Sequence, residues 1–420
     1  MQPSGGRSRF LLVPAAPARP RPAARPAPPP PRPAPAPAPR AAETQPAPAD
    51  PLPVDPPAEP PPGATPVPAP VAVSPAVLET VVADPAGAEL DRKLEAAVAK
   101  GLGFLKANQR AEGVWGKSGT EYGDYVYPIT ALGGLAMLAN SDERNTQGFP
   151  VPIDSACRYL LSGRNGNGYI SNASKGMFGH AFACLLFAEC CEREKDWQWK
   201  EDARNAITLC LANQGKDGGW GYEPAVDDSE IVVSLCVLQA LQAGRSAGIE
   251  IDLQKIQSAE TYVLRHKTSL EIQDIEPSCG LFFYFPGASS KAMMKLASYP
   301  ITAQAMALLL PRFAPDDPLV LRCSKYLLDE RPRVAQRNSS GLGEDCLSIF
   351  YSTLYFVSLG GEAWRIWKQT ALTELLGVQA ADGSWGEKSF YGQAFATSLA
   401  ILSLSAGKKR LTIFRDRKKE

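Results

Sequence analysis

The amino-acid sequence predicts an all-α protein, an (α/α)6 toroid of about twelve helices. Apolar residues recur at helical spacing through most of the chain after residue 87, whereas the alternation typical of strands is scarce. Helices of mixed polarity alternate with helices that are almost wholly apolar. A short phrase, Gln-x-x-x-Gly-x-Trp, follows a helix three times, so one helix-pair unit recurs along the chain. The three copies are Gln109, Gly113 and Trp115; Gln214, Gly218 and Trp220; and Gln379, Gly383 and Trp385.

Composition divides the chain before any helix is assigned. Most of the 39 prolines lie in residues 1–90, interleaved with alanine. Such a segment cannot bury enough apolar surface to offset its ordering entropy, and it favours extended polyproline II conformations. We therefore predict three regions: a disordered Pro/Ala-rich tail or linker at 1–86, the toroid at 87–410, and a basic C-terminal tail at 411–420.

The helices follow in order from the start of the folded region. Leu90, Leu94 and Val98 mark one face of a first helix, which ends before the first motif. A tyrosine-rich loop then leads to a second helix from Ile129 to about Asn140. The same reasoning predicts ten further helices at about 153–163, 177–194, 197–213, 229–244, 252–267, 299–313, 318–329, 345–358, 363–379 and 391–405.

The two helices of each pair differ in polarity. The segment from Trp199 to Cys210 mixes charged and apolar residues, whereas Ile231 to Leu238 and Ala303 to Leu310 are almost continuously apolar. A helix that is apolar all round must be covered on all sides. Half-exposed helices that alternate with fully buried ones predict an inner ring surrounded by an outer ring.

The repeated phrase has a structural explanation in each of its residues. Glycine allows a tight turn, and the buried indole N–H needs an acceptor near the ends of the helices. The glutamine amide is expected to bond free carbonyls at the end of the preceding helix. Two weaker copies keep the pattern in part: Arg164, Gly168 and Tyr169; and Glu276, Gly280 and Phe282.

These repeats resemble the QW repeats of the prenyltransferase and squalene-cyclase superfamily, whose members fold as α/α toroids. The resemblance covers about 87–407 and includes the segments Gly218 to Tyr222 and Asp382 to Gly386. The chain looks most like the single-domain bacterial proteins with prenyltransferase/squalene-oxidase repeats. Their C-terminal pattern Tyr-Gly-x-x-x-Ala-Thr-x-x-Ala has its counterpart in Tyr391 to Ala400.

The resemblance also suggests a proton donor. Squalene and class II terpene cyclases carry Asp-x-Asp-Asp at the position of residues 225–228, and its middle aspartate protonates an alkene. Carried over by position, Asp227 is the acid and Asp228 its neighbour, while Ala225 replaces the first aspartate. This chemistry needs a carboxylic acid whose pKa is raised by burial and by a nearby like charge. The structural alternative is that Asp227, Asp228 or Ser229 caps the next helix, with Glu230 favoured by the helix dipole.

We predict no metal and no cofactor. Protein prenyltransferases, which share the toroid, hold zinc with Asp, Cys and a distant His. In this chain Asp345 and Cys346 are adjacent rather than separated by one residue, and Gln393 stands roughly where the histidine is expected. His180 and Cys184 share a helix face at i, i+4, which is more typical of a hydrogen-bonded core pair than of a metal site.

Inner helices that all begin at one end of the ring place their first turns on one rim. A cleft with convergent polar and aromatic groups is the usual ligand site. The tyrosines and scarce positive charges of this rim suit an apolar or isoprenoid-like small molecule, or a peptide, better than a diphosphate. The candidate rim residues are Asp124, Tyr125, Tyr127, His180, Asp227, Asp228, Tyr299, Asp345, Tyr391 and Gln393.

Two functions remain open at this point, and the sequence does not decide whether the chain is an enzyme. One is a squalene/terpene cyclase-superfamily protein with a central apolar cleft, performing acid-initiated cyclisation or isomerisation of an isoprenoid. The alternative is a non-catalytic scaffold that binds a peptide or protein on the same toroid.

Charge and cysteine content constrain the partners and the compartment. A net charge of zero argues against a nucleic-acid partner. The basic residues 408–410 and 415–419 either contact an acidic membrane surface or remain solvated. Nine cysteines without paired spacing, most of them in apolar helices, predict a reduced, cytosolic setting. We expect no signal peptide and no transmembrane segment in this chain.

Overall fold

The structure, a computed structural model, describes residues 85–116, 125–141, 150–171, 176–195, 197–226, 228–286, 298–334, 342–387 and 389–415. Within these ranges the regular secondary structure is helical, and β-structure is limited to two isolated bridges, Arg164 with Ile170 and Lys267 with Phe282. No helix in this part of the chain is both long and apolar enough to span a bilayer. The prediction of an all-α fold is confirmed.

The described helices form six pairs, each with an outer and an inner member, and the predicted segments are found with their ends moved by a few residues. The last outer helix is interrupted by a π-helical turn, Lys368–Leu372. The outer helices are α1 (Pro85–Asn108), α3 (Val151–Ser162), α5 (Lys200–Ala212), α7 (Leu253–Arg265), α9 (Pro318–Asp329), and α11 (Gly361–Trp367) continued by α12 (Thr373–Gly377). The inner helices are α2 (Val126–Leu138), α4 (Gly176–Arg193), α6 (Ile231–Ser246), α8 (Tyr299–Leu309), α10 (Leu342–Leu359) and α13 (Gln393–Ser405).

The inner helices form a closed ring. Each packs on the next in chain order, and α13 returns to pack on α2, while α1 packs on α12 and α13. Burial follows the polarity of the sequence. Every residue of α2 is buried, whereas α7 buries one stripe formed by Ile256, Ala259, Tyr262 and Val263. The predicted toroid, with buried inner helices and amphipathic outer helices, is therefore the observed architecture.

The three tryptophans of the repeated phrase occupy equivalent positions around this ring. Each indole is almost wholly buried and donates its N–H to a carbonyl in the last turns of the preceding outer helix. The tryptophan thereby satisfies a carbonyl near the end of a helix. The bonds run from Trp115 to Leu105 (2.8 Å), from Trp220 to Cys210 (2.7 Å) and from Trp385 to Leu375 (2.8 Å).

The glutamines act differently from the prediction, which is wrong in this respect. Each amide nitrogen bonds the glycine carbonyl of its own turn and a carbonyl of the next outer helix, not of the preceding one. The third glutamine reaches back to α1, so the same contact also closes the ring. The inter-helix bonds join Gln109 to Pro152 (2.8 Å), Gln214 to Lys255 (2.9 Å) and Gln379 to Ala97 (2.9 Å).

The C-terminal segment packs across the end of the ring opposite to these turns. Leu411, Ile413 and Phe414 are buried, and the 3₁₀ turn Thr412–Phe414 contacts α6 and α10. Glu189, near the C-terminal end of α4, accepts hydrogen bonds from the Thr412 N–H (2.8 Å), the Thr412 hydroxyl (2.6 Å) and the Ile413 N–H (3.1 Å). The stretch that the sequence assigned to a basic tail thus begins with a packed segment, which we call the C-terminal plug (residues 411–415).

Candidate functional site

His180 has a structural role that the repeat explains. The backbone N–H of each motif tryptophan lies within hydrogen-bonding distance of a hydroxyl in the first turns of the following inner helix. In the weaker copy of the motif at residues 164–169, the Ile170 N–H donates instead to Nδ1 of His180 (3.2 Å). His180 therefore replaces a hydroxyl residue at a structural position of the repeat. The equivalent acceptors are Thr130 for Trp115, Ser234 for Trp220 and Thr397 for Trp385.

His180 also belongs to a buried cluster with two thiols. Cys184 Sγ lies 3.6 Å from His180 Nε2 and 4.0 Å from Cys210 Sγ. Burial raises the pKa of Cys184, which favours the neutral thiol. Because Nδ1 accepts from Ile170, the proton sits on Nε2, which donates to the Ala206 carbonyl (2.9 Å). In this tautomer the ring presents no free lone pair to a metal, so the geometry favours a core cluster between α4 and α5.

Two predicted rim tyrosines are directed at the outer ring. The ring of Tyr127 lies 5.8 Å from that of Tyr159 on α3. The Tyr299 hydroxyl donates to the Leu327 carbonyl on α9 (2.8 Å), and its ring lies 5.6 Å from that of Tyr326. Both side chains join inner to outer helices.

Other predicted residues do meet where the inner helices begin. Tyr125 and Tyr391 pack edge to face with ring centroids 5.2 Å apart, which joins the start of α2 to the start of α13. Gln393 donates to the Ser384 hydroxyl (3.2 Å) and so is tied to the third tryptophan turn. Asp345 is 6% exposed in the first turn of α10. We call this end of the inner ring the mouth.

The structure describes the aspartate motif only in part. Asp227 and Asp124 lie outside the described residues, and Asp228 is exposed to solvent. The prediction that residues 227–229 supply the helix cap is wrong. The N-cap of α6 is Glu230, whose side chain makes no capping bond, and Ser229 donates instead to Asp217 (2.8 Å).

A carboxylate and two tyrosines outside the predicted set of rim residues converge at the mouth. The Tyr284 hydroxyl donates a short hydrogen bond to Glu230, and the Tyr222 phenol lies close enough to Tyr284 to interact with it electrostatically. Burial raises the pKa of Tyr284, and its bond to Glu230 raises it further. Burial also raises the pKa of Tyr222, to about 12. Both phenols are therefore neutral donors at physiological pH.

A second polar cluster lies deeper, inside the ring. Gln304 Nε2 on α8 lies 3.8 Å from Cys236 Sγ and 3.4 Å from Gln239 Oε1, both on α6. Cys236 Sγ in turn lies 3.9 Å from the hydroxyl of Tyr351 on α10. Because α8 stands between α6 and α10 in the ring, Cys236 and Tyr351 meet on its inner side. We call these four side chains the inner polar cluster.

Exposed apolar side chains surround the mouth. Val226, Phe285 and Phe390 are 44%, 64% and 45% exposed, and each lies in a loop that leads to an inner helix. Exposed apolar surface beside a polar and aromatic cleft is typical of a site that admits an apolar molecule.

The missed residues left weak signals in the sequence. Tyr222 ends the repeat segment Gly218 to Tyr222, and Glu230 is an acidic residue at a helix start, where the helix dipole favours it. Tyr284 belongs to no motif. A comparison of the repeats points to Glu230. It lies four residues before the acceptor Ser234, and the residue at the same position in the other repeats compared is uncharged. The equivalents are Val126, Gly176 and Gln393.

Comparison with solved structures supports the same fold. An inactive double Asp→Asn variant of the α-1,6-mannanase GH76A of Salegentibacter sp. HEL1_6, in complex with α-1,6-mannotriose, matches with a TM-score of 0.55 and 11% identity, over 76% of this chain and 99% of that chain. The unsubstituted mannanase also gives a TM-score of 0.55, with 10% identity and the same coverage. A variant of the type II terpene cyclase MstE from Scytonema gives a TM-score of 0.52 with 15% identity, over 77% of this chain and 99% of that chain.

Sequence comparisons add no closer relative: no protein-family model and no curated protein matches the chain. At these identities the structural matches establish the fold alone. The chain is an α/α toroid, and toroids of this shape include both a glycoside hydrolase and a terpene cyclase.

Proposed function

We propose that this toroid binds an isoprenoid-like small molecule in a central cleft that opens at the mouth, as a member of the squalene/terpene cyclase superfamily. The observation that carries the proposal is the contrast between the two ends of the inner ring. The C-terminal plug covers one end, whereas half-buried tyrosines and exposed apolar side chains surround the other. A ligand that enters such a ring does so from the mouth.

The composition of the interior favours an apolar ligand over a sugar. The inward side of the ring includes Phe178 and Phe182 on α4, on the face opposite to His180. An oligosaccharide carries a hydroxyl on most carbons and needs many hydrogen-bonding partners, whereas the inner polar cluster offers four side chains. The structural similarity to the mannanase therefore suggests α-1,6-mannotriose as a probe for comparison, and we expect prenyl ligands to bind in preference to it.

Acid-initiated cyclisation or isomerisation is the reaction we propose, with Asp227 as proton donor. The test incubates the full chain with squalene, geranylgeranyl diphosphate and shorter prenyl substrates, and detects products by mass spectrometry. Asp227→Asn should abolish product formation, because an amide cannot supply the proton. Asp228→Asn is the comparison variant: it removes the neighbouring like charge but keeps the donor, so we expect it to lower activity less than Asp227→Asn does. Undiminished activity of Asp227→Asn would reject this donor.

The alternative function is a non-catalytic scaffold that binds a peptide or protein. The exposure of Asp228 favours it, because an alkene-protonating site needs desolvated carboxyl groups. Binding of prenyl ligands without turnover would support the proposed cleft and reject the proposed reaction. Failure to bind any prenyl ligand would reject the proposed ligand class and favour the scaffold function.

A further inference from the structure

We infer that the inner polar cluster binds a hydroxyl group carried by the apolar ligand, and that Gln239 is its principal partner. The inference rests on the proposed function, since it names the polar group of the molecule that enters the cleft.

The first support is an unpaired polar atom. Gln239 is 1% exposed, and among the described residues its Nε2 has no hydrogen-bond partner. A buried donor left unsatisfied is costly, and such groups in native proteins are usually explained by a bound water or ligand. Gln239 lies on α6, three residues after Cys236, which places it close to the part of the helix that reaches the ring interior.

The second support is the length of the contacts around it. The hydrogen bonds of the cluster measure 3.4, 3.8 and 3.9 Å, the last two to sulfur. A typical N–H···O bond is about 2.9–3.0 Å long, whereas bonds to sulfur are longer. The contact between the two amides is therefore a weak one, and an additional hydrogen-bonding group would improve the pairing of Gln239 without breaking a strong bond.

The chemistry of an amide pair selects a hydroxyl. Gln239 Oε1 accepts from Gln304 and leaves its nitrogen unpaired. The exchanged arrangement, in which Gln239 donates to the Gln304 carbonyl, leaves the Gln239 oxygen unpaired instead. A hydroxyl group can accept or donate, and so it satisfies either arrangement. A carbonyl or an ammonium group satisfies only one of them.

The mouth and the cluster are connected by one helix. Glu230 is the N-cap of α6, and Cys236 and Gln239 follow along the same helix. A prenyl alcohol that enters along α6 therefore places its hydroxyl at the cluster and its chain against the apolar side chains.

The test measures binding to the full-length protein with two probes, geraniol and the hydrocarbon in which hydrogen replaces its hydroxyl group. Gln239→Met removes the amide and keeps an unbranched side chain of similar length. We expect this variant to bind geraniol about tenfold more weakly than wild type, the effect of one buried hydrogen bond, and to bind the hydrocarbon unchanged. Gln304→Met is a second variant that reports on the same cluster should the first fail to fold.

Gln242→Met is the matched control. It changes a glutamine on the same helix whose amide donates to the Leu308 carbonyl (3.3 Å), and we expect both probes to bind it as they bind wild type. Equal loss of both probes in Gln239→Met, or no loss of geraniol, overturns the hydroxyl inference while the proposed cleft stands. If wild type binds neither probe, the proposed function fails and the inference fails with it.

Discussion

Each end of the inner ring holds a glutamate, and the two glutamates differ in burial. At the closed end, Glu189 is 2% exposed and accepts three hydrogen bonds from the C-terminal plug. At the mouth, Glu230 is half-buried and accepts a hydrogen bond from Tyr284. Glu189 holds the C-terminal plug to α4, whereas Glu230 lies at the end of the ring that the plug does not cover.

This difference separates structural from functional polarity in the toroid. Buried polar groups that are fully paired rigidify a fold, and groups that remain incompletely paired are costly unless something else binds them. The Gln239 amide and the loosely paired cluster around it belong to the second kind. The comparison therefore predicts large stability effects at the plug and at the tryptophan turns, and small ones at the mouth.

The largest effect is expected for Glu189→Ala. The substitution leaves the N–H groups of Thr412 and Ile413 buried without an acceptor and creates a cavity under the plug. We expect the free energy of unfolding to fall by about 3–5 kcal/mol, measured by urea denaturation. Glu192→Ala is the control, since its partners Lys195 and Arg415 are exposed, and it should cost under about 1 kcal/mol. Similar losses in the two variants would contradict a dedicated role for Glu189.

A tryptophan turn gives the next largest effect. Gly113 has φ +88°, and a Cβ atom there would lie 2.2 Å from the Ser155 carbonyl oxygen of α3. Gly113→Ala should therefore lower the free energy of unfolding by about 2–4 kcal/mol, through backbone strain and displacement of α3.

Gly103→Ala provides the control for that measurement. Gly103 is exposed within α1, five residues before its end, and an added Cβ has no neighbour within 4 Å. We expect it to raise stability by about 0.5–1 kcal/mol, since alanine is the better helix former. A stabilised Gly113→Ala would show that the turn does not fasten α1 to α3.

The fold could be predicted from the sequence because its signals are local and repeated. Polarity in each helix distinguishes inner from outer members, and the tryptophan phrase marks the turns between them. The route of the glutamine bonds was not predictable in this way. Gln379 reaches Ala97 across the closure of the ring, and only the three-dimensional arrangement brings those residues together.

The site was less predictable for the same reason. The positions of Tyr125 and Tyr391 before inner helices predict that they lie on one rim, and their rings do meet. Tyr127 and Tyr299 were selected on the same ground but are directed at α3 and α9, since a helix start does not fix the direction of a side chain. Glu230, Tyr284 and the inner polar cluster come from separate repeats, and no spacing along the chain relates them.

The pH dependence of stability offers a further distinction. Burial raises the pKa of Glu189 in the folded state, although hydrogen bonds from Thr412 and Ile413 oppose the shift. The folded protein therefore holds this proton more tightly than the unfolded chain. The contribution of Glu189 to stability is present below the unfolded pKa and is lost as the pH rises through the folded pKa. As the pH rises through the folded-state pKa, we expect the free energy of unfolding to fall less in Glu189→Gln than in wild type, measured by urea denaturation at each pH.

Glu192 should show the opposite sign. Burial opposes the shift, but hydrogen bonds from Lys195 and Arg415 lower the pKa of Glu192. Its contribution is present above the unfolded pKa and is lost as the pH falls through the folded pKa. As the pH falls through this range, we therefore expect the free energy of unfolding to decrease less in Glu192→Gln than in wild type. The same sign in both variants would mean that Glu189 is not the group that titrates at the plug.

The smallest effect on stability is expected at the mouth. In Glu230→Gln the amide oxygen still accepts from Tyr284, and the backbone bonds of Glu230 to Trp220 and Ser234 (2.9 Å each) are unaffected. The charge removed is half-buried, so we expect a change under about 1 kcal/mol in urea denaturation. Prenyl-ligand binding, measured on the same variant, should change more than stability does. A loss of stability as large as that of Glu189→Ala would make the carboxylate at the mouth a structural group, and the contrast between the two ends would then disappear.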